Sequence, residues 1–212
     1  AFSVDSVILD LATKQGELAY EICKRFPGAN KPKIYSVATS RLTYELTRKV
    51  YESLGLPVEY ILNFTTFSLL EENAQNRIDR LSQLSPDVVI VVPPYNRPDG
   101  GGRSGSGSGS AIYQHFYGIA KQLNPKYIAV FIKANWYSGG RGDGLEEFRE
   151  SILNDNHISI WHDYPDPEIY IDTDVALRGG VCRFLWNHAH VGDCEFYSYI
   201  NQFVDYQKRP LK

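Results

Sequence analysis

The residues best able to do chemistry come directly after two apolar runs of the sequence. The first run, Val7 to Leu9, ends at Asp10, and Gly16 then opens the next amphipathic segment. A buried strand that ends in a carboxylate, followed by a glycine at a helix start, can cradle a nucleoside cofactor, because glycine permits close backbone approach and the helix N-terminus has free N–H groups. An ordinary turn between a strand and a helix has the same pattern, so this segment alone leaves both interpretations open.

The second run, Val88 to Val92, stops at Pro93 and Pro94, and Tyr95 follows. Two consecutive prolines after a buried strand end its hydrogen-bonded ladder and hold an extended, rigid corner. Such a corner fixes backbone carbonyls beside the tyrosine ring, which suits a flat base that carries an exocyclic amine. Pro-Pro-Tyr alone is better explained as the end of a strand, and only the two segments together favour a shared site.

The elements that must position these segments alternate between strand and helix. The sequence predicts helices over Gly16–Phe26, Ser40–Leu54, Leu69–Leu84, Ala111–Leu123 and Leu145–Leu153. It predicts seven strands, over Val7–Leu9, Lys33–Val37, Val58–Phe64, Asp87–Val92, Tyr127–Ile132, His157–Trp161 and Gly179–Trp186. This alternation predicts an α/β fold with a doubly wound, mostly parallel, seven-stranded sheet. Ligands of such folds bind at the carboxyl ends of the strands, where both segments lie.

The composition bounds the domain organisation and the partners. A chain of 212 residues is long enough for one substantial α/β domain, which we predict over residues 1–212, or at a stretch for two small domains. Methionine is absent, even at position 1, which indicates a fragment of a longer protein or the loss of modified residues. The formal net charge of −3 lacks the basic surplus of most DNA binders, so a chain that acts on DNA would need a further region to hold the duplex.

The apolar runs and the cysteines predict a cytoplasmic protein. No stretch approaches the roughly 20 apolar residues of a membrane span, and no signal peptide is visible. Cys23, Cys182 and Cys194 are odd in number and widely spaced, which is typical of buried thiols in a reducing compartment. The histidines show no metal-ligand spacing, so we expect no bound metal. Because no membrane span is visible, we also expect no membrane partner.

Two loops carry unusual compositions. Residues 96–110 are rich in glycine and serine, which is typical of a flexible segment, although an engineered linker in place of an excised loop would look the same. Acidic residues cluster around prolines from Asp163 to Asp174, which we interpret as a solvated connection. Trp136 and Tyr137 would either flank a substrate cleft or close the fifth strand.

Taken together, these segments resemble the amino-group DNA methyltransferases, in particular the adenine-specific methylases of type II restriction-modification systems. The family signature is an Asp/Gly turn after the first strand and, after the fourth, Asn, Asp or Ser followed by Pro-Pro-Tyr or Pro-Pro-Phe. Asp10–Gly16 and Val92–Tyr95 match it in order and spacing. Similar segments at Gly100–Tyr113, Leu123–Tyr127 and Gly179–Trp186 extend the resemblance over nearly the whole chain and favour a native glycine-serine loop.

The resemblance implies a Rossmann-like methyltransferase fold that uses S-adenosylmethionine. It places this cofactor against the first turn and a flipped-out adenine against the second, with the Pro93 carbonyl as acceptor and the Tyr95 ring stacked on the base. Ala38 to Ser40 would lie near the cofactor ribose, where the usual acidic ligand is missing. The implied cofactor-binding residues are Asp10, Ala12, Thr13, Gly16 and Glu17, and the implied catalytic residues are Val92, Pro93, Pro94 and Tyr95.

Val92 departs from the family signature. Members place Asn, Asp or Ser there, so that a side-chain oxygen accepts a hydrogen bond from the target amine as positive charge develops on its nitrogen. Valine has no acceptor, and we therefore expect weak or absent methyl transfer.

The functions that fit the sequence differ in what they require of these turns. The leading one is an adenine-specific DNA methyltransferase whose duplex DNA is held through a target-recognition region outside this chain. The alternative is a non-catalytic methyltransferase-like module that binds cofactor or DNA, which Val92 and the missing basic surplus favour. An NAD-dependent oxidoreductase is disfavoured, because the first turn has Lys14 where the dinucleotide fingerprint needs a second glycine.

Overall fold

A computed structural model describes residues 3–28, 30–95, 111–138, 144–169, 179–201 and 203–212. The chain divides into two compact units, Ala1–Pro93 with Gly118–Ile128, and Pro94–Tyr117 with Ala129–Lys212. The glycine-serine loop predicted at 96–110 lies outside the described residues. None of the described helices is both long and apolar enough to cross a membrane.

The first unit is built on parallel strands. Its described residues form β1 (Val7–Thr13), β2 (Lys33–Ala38), β3 (Ile61–Thr65) and β4 (Val88–Val91), in the order β3-β2-β1-β4. Most residues of β1 and β4 are buried, as expected for apolar strands of a parallel sheet. Their pairing sets Ile8 beside Val88 and Asp10 beside Ile90. The carboxyl ends of β1 and β4 therefore lie next to each other.

Helices α1 (Glu17–Lys24), α2 (Arg41–Leu54) and α3 (Gln75–Gln83) belong to the same unit. Ser40 begins α2 with a capping box: its hydroxyl accepts a hydrogen bond from the Thr43 N–H, and the Thr43 hydroxyl accepts one from the Ser40 N–H. The Tyr51 hydroxyl of α2 donates to the Ile34 carbonyl at 2.9 Å, which ties α2 to β2. The core around this contact consists of Ile8, Ala19, Ile22, Cys23, Ile34, Tyr51, Leu56, Ile61 and Val88.

The second unit contains an antiparallel hairpin joined to a mixed set of strands. β6 (Ile158–Tyr164) runs antiparallel to β7 (Val181–Asn187) and parallel to β8 (Cys194–Ile200), and β8 and β9 (Phe203–Arg209) form the hairpin. Helix α4 (Tyr113–Gln122) begins in this unit, and Tyr117 contacts Phe148 of α5 (Leu145–Leu153) edge-on at 5.8 Å. β5 (Tyr127–Lys133) lies next to β7, and the order of these strands is β5-β7-β6-β8-β9.

The prediction of seven strands was wrong in number, because the described residues form nine. The additional strands, β8 and β9, follow the last predicted one. Most side chains of β8 are only partly buried, and β9 is exposed along nearly its whole length. Neither strand therefore contains a continuous apolar run, and both depend on the hairpin pairing from Cys194 with Arg209 to Ile200 with Phe203.

Two predicted elements of the first unit are shorter than expected. The strand predicted from Val58 begins at Ile61, because residues 58–60 form a 3₁₀ helix after Pro57. The helix predicted from Leu69 begins only at Gln75, because residues 66–70 also form a 3₁₀ helix and Glu71 then adopts an extended backbone. Apolar spacing does not distinguish these tight turns from the neighbouring regular element.

Gly16 allows α1 to pack closely on α2. It precedes α1 in a left-handed conformation with φ +77°, which disfavours any residue with a Cβ. A Cβ built on Gly16 would lie 3.1 Å from Cβ of Val50 and 3.4 Å from Cγ2 of Thr47. The structure thus gives Gly16 a packing role that does not depend on a ligand.

We expect Gly16→Ala to destabilise the protein more than Gly55→Ala does. Gly55 ends α2 with a similar φ of +65°, but a Cβ there meets no atom within 4 Å. Gly55→Ala should lower the free energy of unfolding by about 1–2 kcal/mol through backbone strain. Gly16→Ala should lower it by the same strain and by a further ~1–3 kcal/mol through overpacking against Val50 and Thr47. Urea unfolding followed by circular dichroism measures both, and equal losses would contradict the packing role.

Candidate cofactor-binding and catalytic site

The ends of β1 and β4 bring the two predicted segments to one edge of the first unit's sheet. The strand predicted over Val7–Leu9 continues to Thr13, so Asp10 lies within β1. Because Asp10 pairs with Ile90 in parallel strands, the turn at residues 14–16 and the corner that begins at Val92 leave the sheet at the same edge. Val92 is half-buried and Pro93 is buried. Pro94 and Tyr95, the remaining predicted catalytic residues, belong to the second unit.

Asp10 presents a carboxylate that the described residues satisfy only in part. Its side chain is 2% exposed, and its Oδ1 accepts a hydrogen bond from the Ala12 N–H at 3.0 Å. Its Oδ2 is buried and has no hydrogen-bond partner among the described residues. Burial raises the pKa of Asp10 to about 7, although the Ala12 N–H and the Thr13 hydroxyl oppose the shift. Buried carboxylate oxygens in folded proteins normally accept a hydrogen bond or face a cation, and this oxygen has no hydrogen-bond donor among the described residues.

The turn after β1 is closed by its own side chains. The Thr13 hydroxyl accepts a hydrogen bond from the Gly16 N–H at 3.1 Å, and the Glu17 carboxylate accepts one from the Gln15 N–H at 2.8 Å. The Ala12 side chain is buried, whereas Glu17 is exposed. The predicted residues therefore fix the shape of the turn beside Asp10, and Glu17 adds negative charge to it.

The end of β2 is tied to the same turn. The Thr39 N–H donates to the Thr13 carbonyl at 3.2 Å, which holds the segment predicted to lie near the ribose beside the first turn. Ser40 uses its hydroxyl to cap α2. Thr66, which the sequence analysis missed, is fully buried and donates to the Leu11 carbonyl at 2.8 Å. Its position just after a strand was the available signal, but threonine is common there.

S-adenosylmethionine fits the residues at this edge. The cofactor carries positively charged ammonium and sulfonium groups. The buried Oδ2 of Asp10 is a hydrogen-bond acceptor of opposite charge, without a partner among the described residues. The ribose and adenine of the cofactor carry polar groups, for which the Thr39 and Thr13 backbone and side chains are candidates. No acidic residue lies between Ala38 and Ser40 to bind the ribose hydroxyls, as the sequence predicts.

Tyr95 is half-buried within the second unit. Its ring packs against the cluster of Tyr164 and Val181, and the Lys133 ammonium lies 5.3 Å from its centroid. Its carbonyl accepts a hydrogen bond from the Ile112 N–H at 3.2 Å. Burial raises the pKa of the Tyr95 hydroxyl to about 12, so the phenol stays neutral. The ring is thus held in place on one side, as a stacking platform requires.

The interpretation of Asp163 as part of a solvated connection was wrong. Asp163 lies in β6 and accepts hydrogen bonds from the Tyr137 hydroxyl at 3.0 Å and the Ser198 hydroxyl at 3.5 Å. The Tyr137 hydroxyl in turn accepts one from Nε1 of Trp161 at 3.1 Å. Burial raises the pKa of the Asp163 carboxyl. Sequence spacing could not show that β6 extends three residues beyond Trp161 and draws Asp163 inward.

Trp136 and Tyr137 close the fifth strand, which is one of the two roles predicted for them. They lie in a 3₁₀ helix directly after β5, and Trp136 is 2% exposed. All three cysteines are free and buried, as predicted. Within the described ranges, no three side chains of His, Cys, Asp or Glu are grouped as metal ligands.

Comparison with known proteins identifies the class. The sequence profile of the Eco57I restriction-modification methylase family matches residues 32–170, which is more than half of the chain. The chain belongs to this family. The matched range includes the corner at Val92 to Tyr95 and begins after the turn at Asp10.

Individual relatives agree with this class. An uncharacterized adenine-specific methylase of Mycoplasma pneumoniae is 33% identical over 113 residues, which cover 50% of this chain and 24% of that protein. The methyltransferase subunit of a Streptococcus thermophilus type I restriction-modification system has a TM-score of 0.59 at 15% identity, over 97% of this chain and 44% of that subunit. A Listeria monocytogenes protein provisionally classed as a class I S-adenosylmethionine-dependent methyltransferase has a TM-score of 0.55 at 13% identity. The match covers 92% of this chain and 59% of that protein. The fold is therefore that of these methyltransferases, and the chain spans only part of each relative's length.

The raised pKa of Asp10 predicts an unusual pH dependence of stability. The folded protein holds the Asp10 proton up to about pH 7, whereas an aspartate in the unfolded chain releases it near its ordinary pKa of 3.8. Between these values the folded state binds more protons, so the free energy of unfolding falls as the pH rises. We expect the wild type to lose on the order of 2 kcal/mol relative to Asp10→Asn between about pH 5 and about pH 8.

Chemical denaturation at several pH values measures this difference, and comparison with the variant removes the contributions of the histidines. Asp87→Asn is the control. Ion pairing with Lys126 lowers the pKa of Asp87, so this substitution should change the level of stability over the same interval and not its slope. Parallel curves for the wild type and Asp10→Asn would show that Asp10 does not titrate there.

Proposed function

We propose that this chain is the cofactor-binding and catalytic part of an adenine-specific DNA methyltransferase of a restriction-modification system. The observation that carries the proposal is the parallel pairing of β1 with β4, which sets the Asp10 turn beside the corner at Val92 and Pro93. A methyl donor and a methyl acceptor must meet in one cleft, and carboxyl ends of neighbouring strands are where such folds bind ligands. Membership of the Eco57I restriction-modification methylase family supports DNA as the substrate.

In this proposal the turn after β1 binds S-adenosylmethionine, which supplies an activated methyl group. Asp10 contributes its free Oδ2 as an acceptor for a cationic or donor group of the cofactor. Thr13, Gly16 and Glu17 hold the shape of the turn through the hydrogen bonds that close it. Ala12 lines the turn with a small side chain, which leaves room for the ligand.

The corner after β4 receives the adenine. The target base must leave the duplex, because its exocyclic amine is not accessible to a methyl donor inside the stack. The Pro93 carbonyl accepts a hydrogen bond from that amine, Pro94 keeps the corner extended, and the Tyr95 ring stacks on the base. The packing of Tyr95 against Tyr164 supports this role, because a ring that is already ordered loses little entropy on stacking.

DNA is held mainly outside this chain. The net charge of −3 gives little electrostatic attraction to phosphates. The chain spans 24% of the adenine-specific methylase and 44% of the type I subunit that it resembles, so a target-recognition region in the remainder of the protein is part of the proposal.

Val92 should limit the chemical step. Replacing it by asparagine restores the side-chain acceptor that the family signature has at this position. We expect Val92→Asn to raise methyl transfer by about 10²–10³, by analogy with the loss of one transition-state hydrogen bond in other enzymes. The assay uses the full-length protein, which includes the proposed target-recognition region, and measures transfer of a labelled methyl group from S-adenosylmethionine to unmethylated DNA of mixed sequence.

Val92→Leu is the matched control, because it changes the shape of the side chain without adding an acceptor, and its activity should stay at the level of the wild type. Calorimetry should show that all three proteins bind S-adenosylmethionine with similar affinity. Full activity in the wild type, equal to that of Val92→Asn, would contradict the role of position 92. Cofactor binding with no transfer by any of the three would favour the non-catalytic module.

A further inference from the structure

The second unit contains a cavity that the proposed methyl transfer does not use. It has a volume of about 190 Å³. Aromatic side chains form much of its wall, and two arginines, Arg149 of α5 and Arg209 at the end of β9, also line it. It shares no residue with the turn after β1 or with the corner after β4. The remaining lining residues are Trp136, Tyr137, Ile152, Leu153, Trp161, Phe196 and Leu211.

The aromatic wall is rigid and suited to a flat ring. Trp161 of β6 is 2% exposed and stacks on Phe184 of β7 with centroids 4.6 Å apart. On its other side Phe196 of β8 lies nearly parallel, at 10°, but 6.4 Å away. Trp136 meets Trp161 edge-on at 5.9 Å. Ring contacts hold these side chains in fixed positions, and the half-buried Phe196 and Tyr137 are the aromatic lining residues that remain accessible to a ligand ring.

The two arginines bring positively charged groups to the cavity. Within the described part of the chain, neither guanidinium forms an ion pair with Asp or Glu. Arg209 is positioned by the Phe196 ring, 4.9 Å away, and by hydrogen bonds to the Gln207 side chain and the Pro210 carbonyl. Arg149 is exposed on α5. Two unpaired guanidiniums beside one cavity are suited to a phosphate, which arginine binds through several N–H donors at once.

The size of the cavity limits what enters it. A cavity of roughly 150 Å³ holds benzene, and whole drug-sized ligands need roughly 300 Å³ or more. About 190 Å³ therefore admits one aromatic ring system, while a sugar and a phosphate attached to it remain outside. The guanidinium of the exposed Arg149 is available to such a phosphate.

We propose that this cavity binds a nucleoside phosphate, with the base against the half-buried rings of Phe196 and Tyr137 and the phosphate at Arg149 and Arg209. The nucleoside phosphate is either a free nucleotide or one unit of a nucleic-acid strand, since both present the same ring and the same charge. Base stacking on aromatic side chains does not depend strongly on sequence, so the site discriminates by charge and ring size rather than by base identity.

The test is calorimetric titration of the whole chain with adenosine 5′-monophosphate at low salt, with saturating S-adenosylhomocysteine present to occupy the proposed cofactor site. We expect one saturable site, with adenosine alone and inorganic phosphate alone each binding at least tenfold more weakly. Arg149→Gln and Arg209→Gln should each weaken nucleotide binding about tenfold, because each removes charged hydrogen bonds. Arg25→Gln, an exposed arginine at the end of α1, is the matched control and should leave the affinity unchanged.

A short single-stranded oligoadenylate distinguishes the two sources. Binding at least tenfold tighter than that of the mononucleotide, and weakened by the same two substitutions, identifies a strand; binding that is no tighter identifies the free nucleotide. Thermal unfolding of each variant verifies that it is folded. The proposal is overturned if the nucleotide does not bind, if inorganic phosphate binds as tightly, or if the two cavity variants bind it as well as Arg25→Gln does. Because the cavity and the β1 turn share no residue, loss of S-adenosylhomocysteine binding would contradict the proposed function alone.

Discussion

The parallel pairing of β1 with β4 is the constraint on which the candidate site depends. Its register sets Asp10 beside Ile90, so the carboxylate within β1 lies close to the edge at which the proline corner follows β4. Side-chain direction reverses with each residue of a strand, so a slip of one position would turn Asp10 to the opposite face. The buried, apolar character of both strands fixes the register, because a slip would also displace the core residues Ile8 and Val88.

Asp10 links this constraint to energetics. A carboxylate that is 2% exposed, with one oxygen lacking a partner among the described residues, opposes folding whenever it is charged. The hydrogen bonds that close the adjoining turn and the packing of α1 on α2 at Gly16 hold it in place nonetheless. A ligand that donates a hydrogen bond to Oδ2 would remove the cost of burying the Asp10 charge. The binding of a cation there is the simplest physical reason for a buried carboxylate at this position.

Much of the fold follows from local sequence patterns, because the signals are physically strong where both faces of a strand are covered. The apolar run that became β4 and the Ser40 cap that begins α2 are examples. β9 could not be predicted, because an exposed edge strand is specified by its hairpin partner and not by burial. That the segments at Asp10 and Val92 follow neighbouring strands could be predicted from the alternation of strands and helices and from the family resemblance. The free oxygen of Asp10 and the inward position of Asp163 depend on contacts between distant elements, which no sequence window contains.

The central claim is that the turn after β1 and the corner after β4 share one S-adenosylmethionine site. A crystal structure of the chain with S-adenosylmethionine bound tests it most directly. The account predicts electron density for the cofactor against Asp10, with its methyl group directed towards Pro93. Cofactor that binds elsewhere on the chain, with no contact to Asp10 or Pro93, would contradict the account.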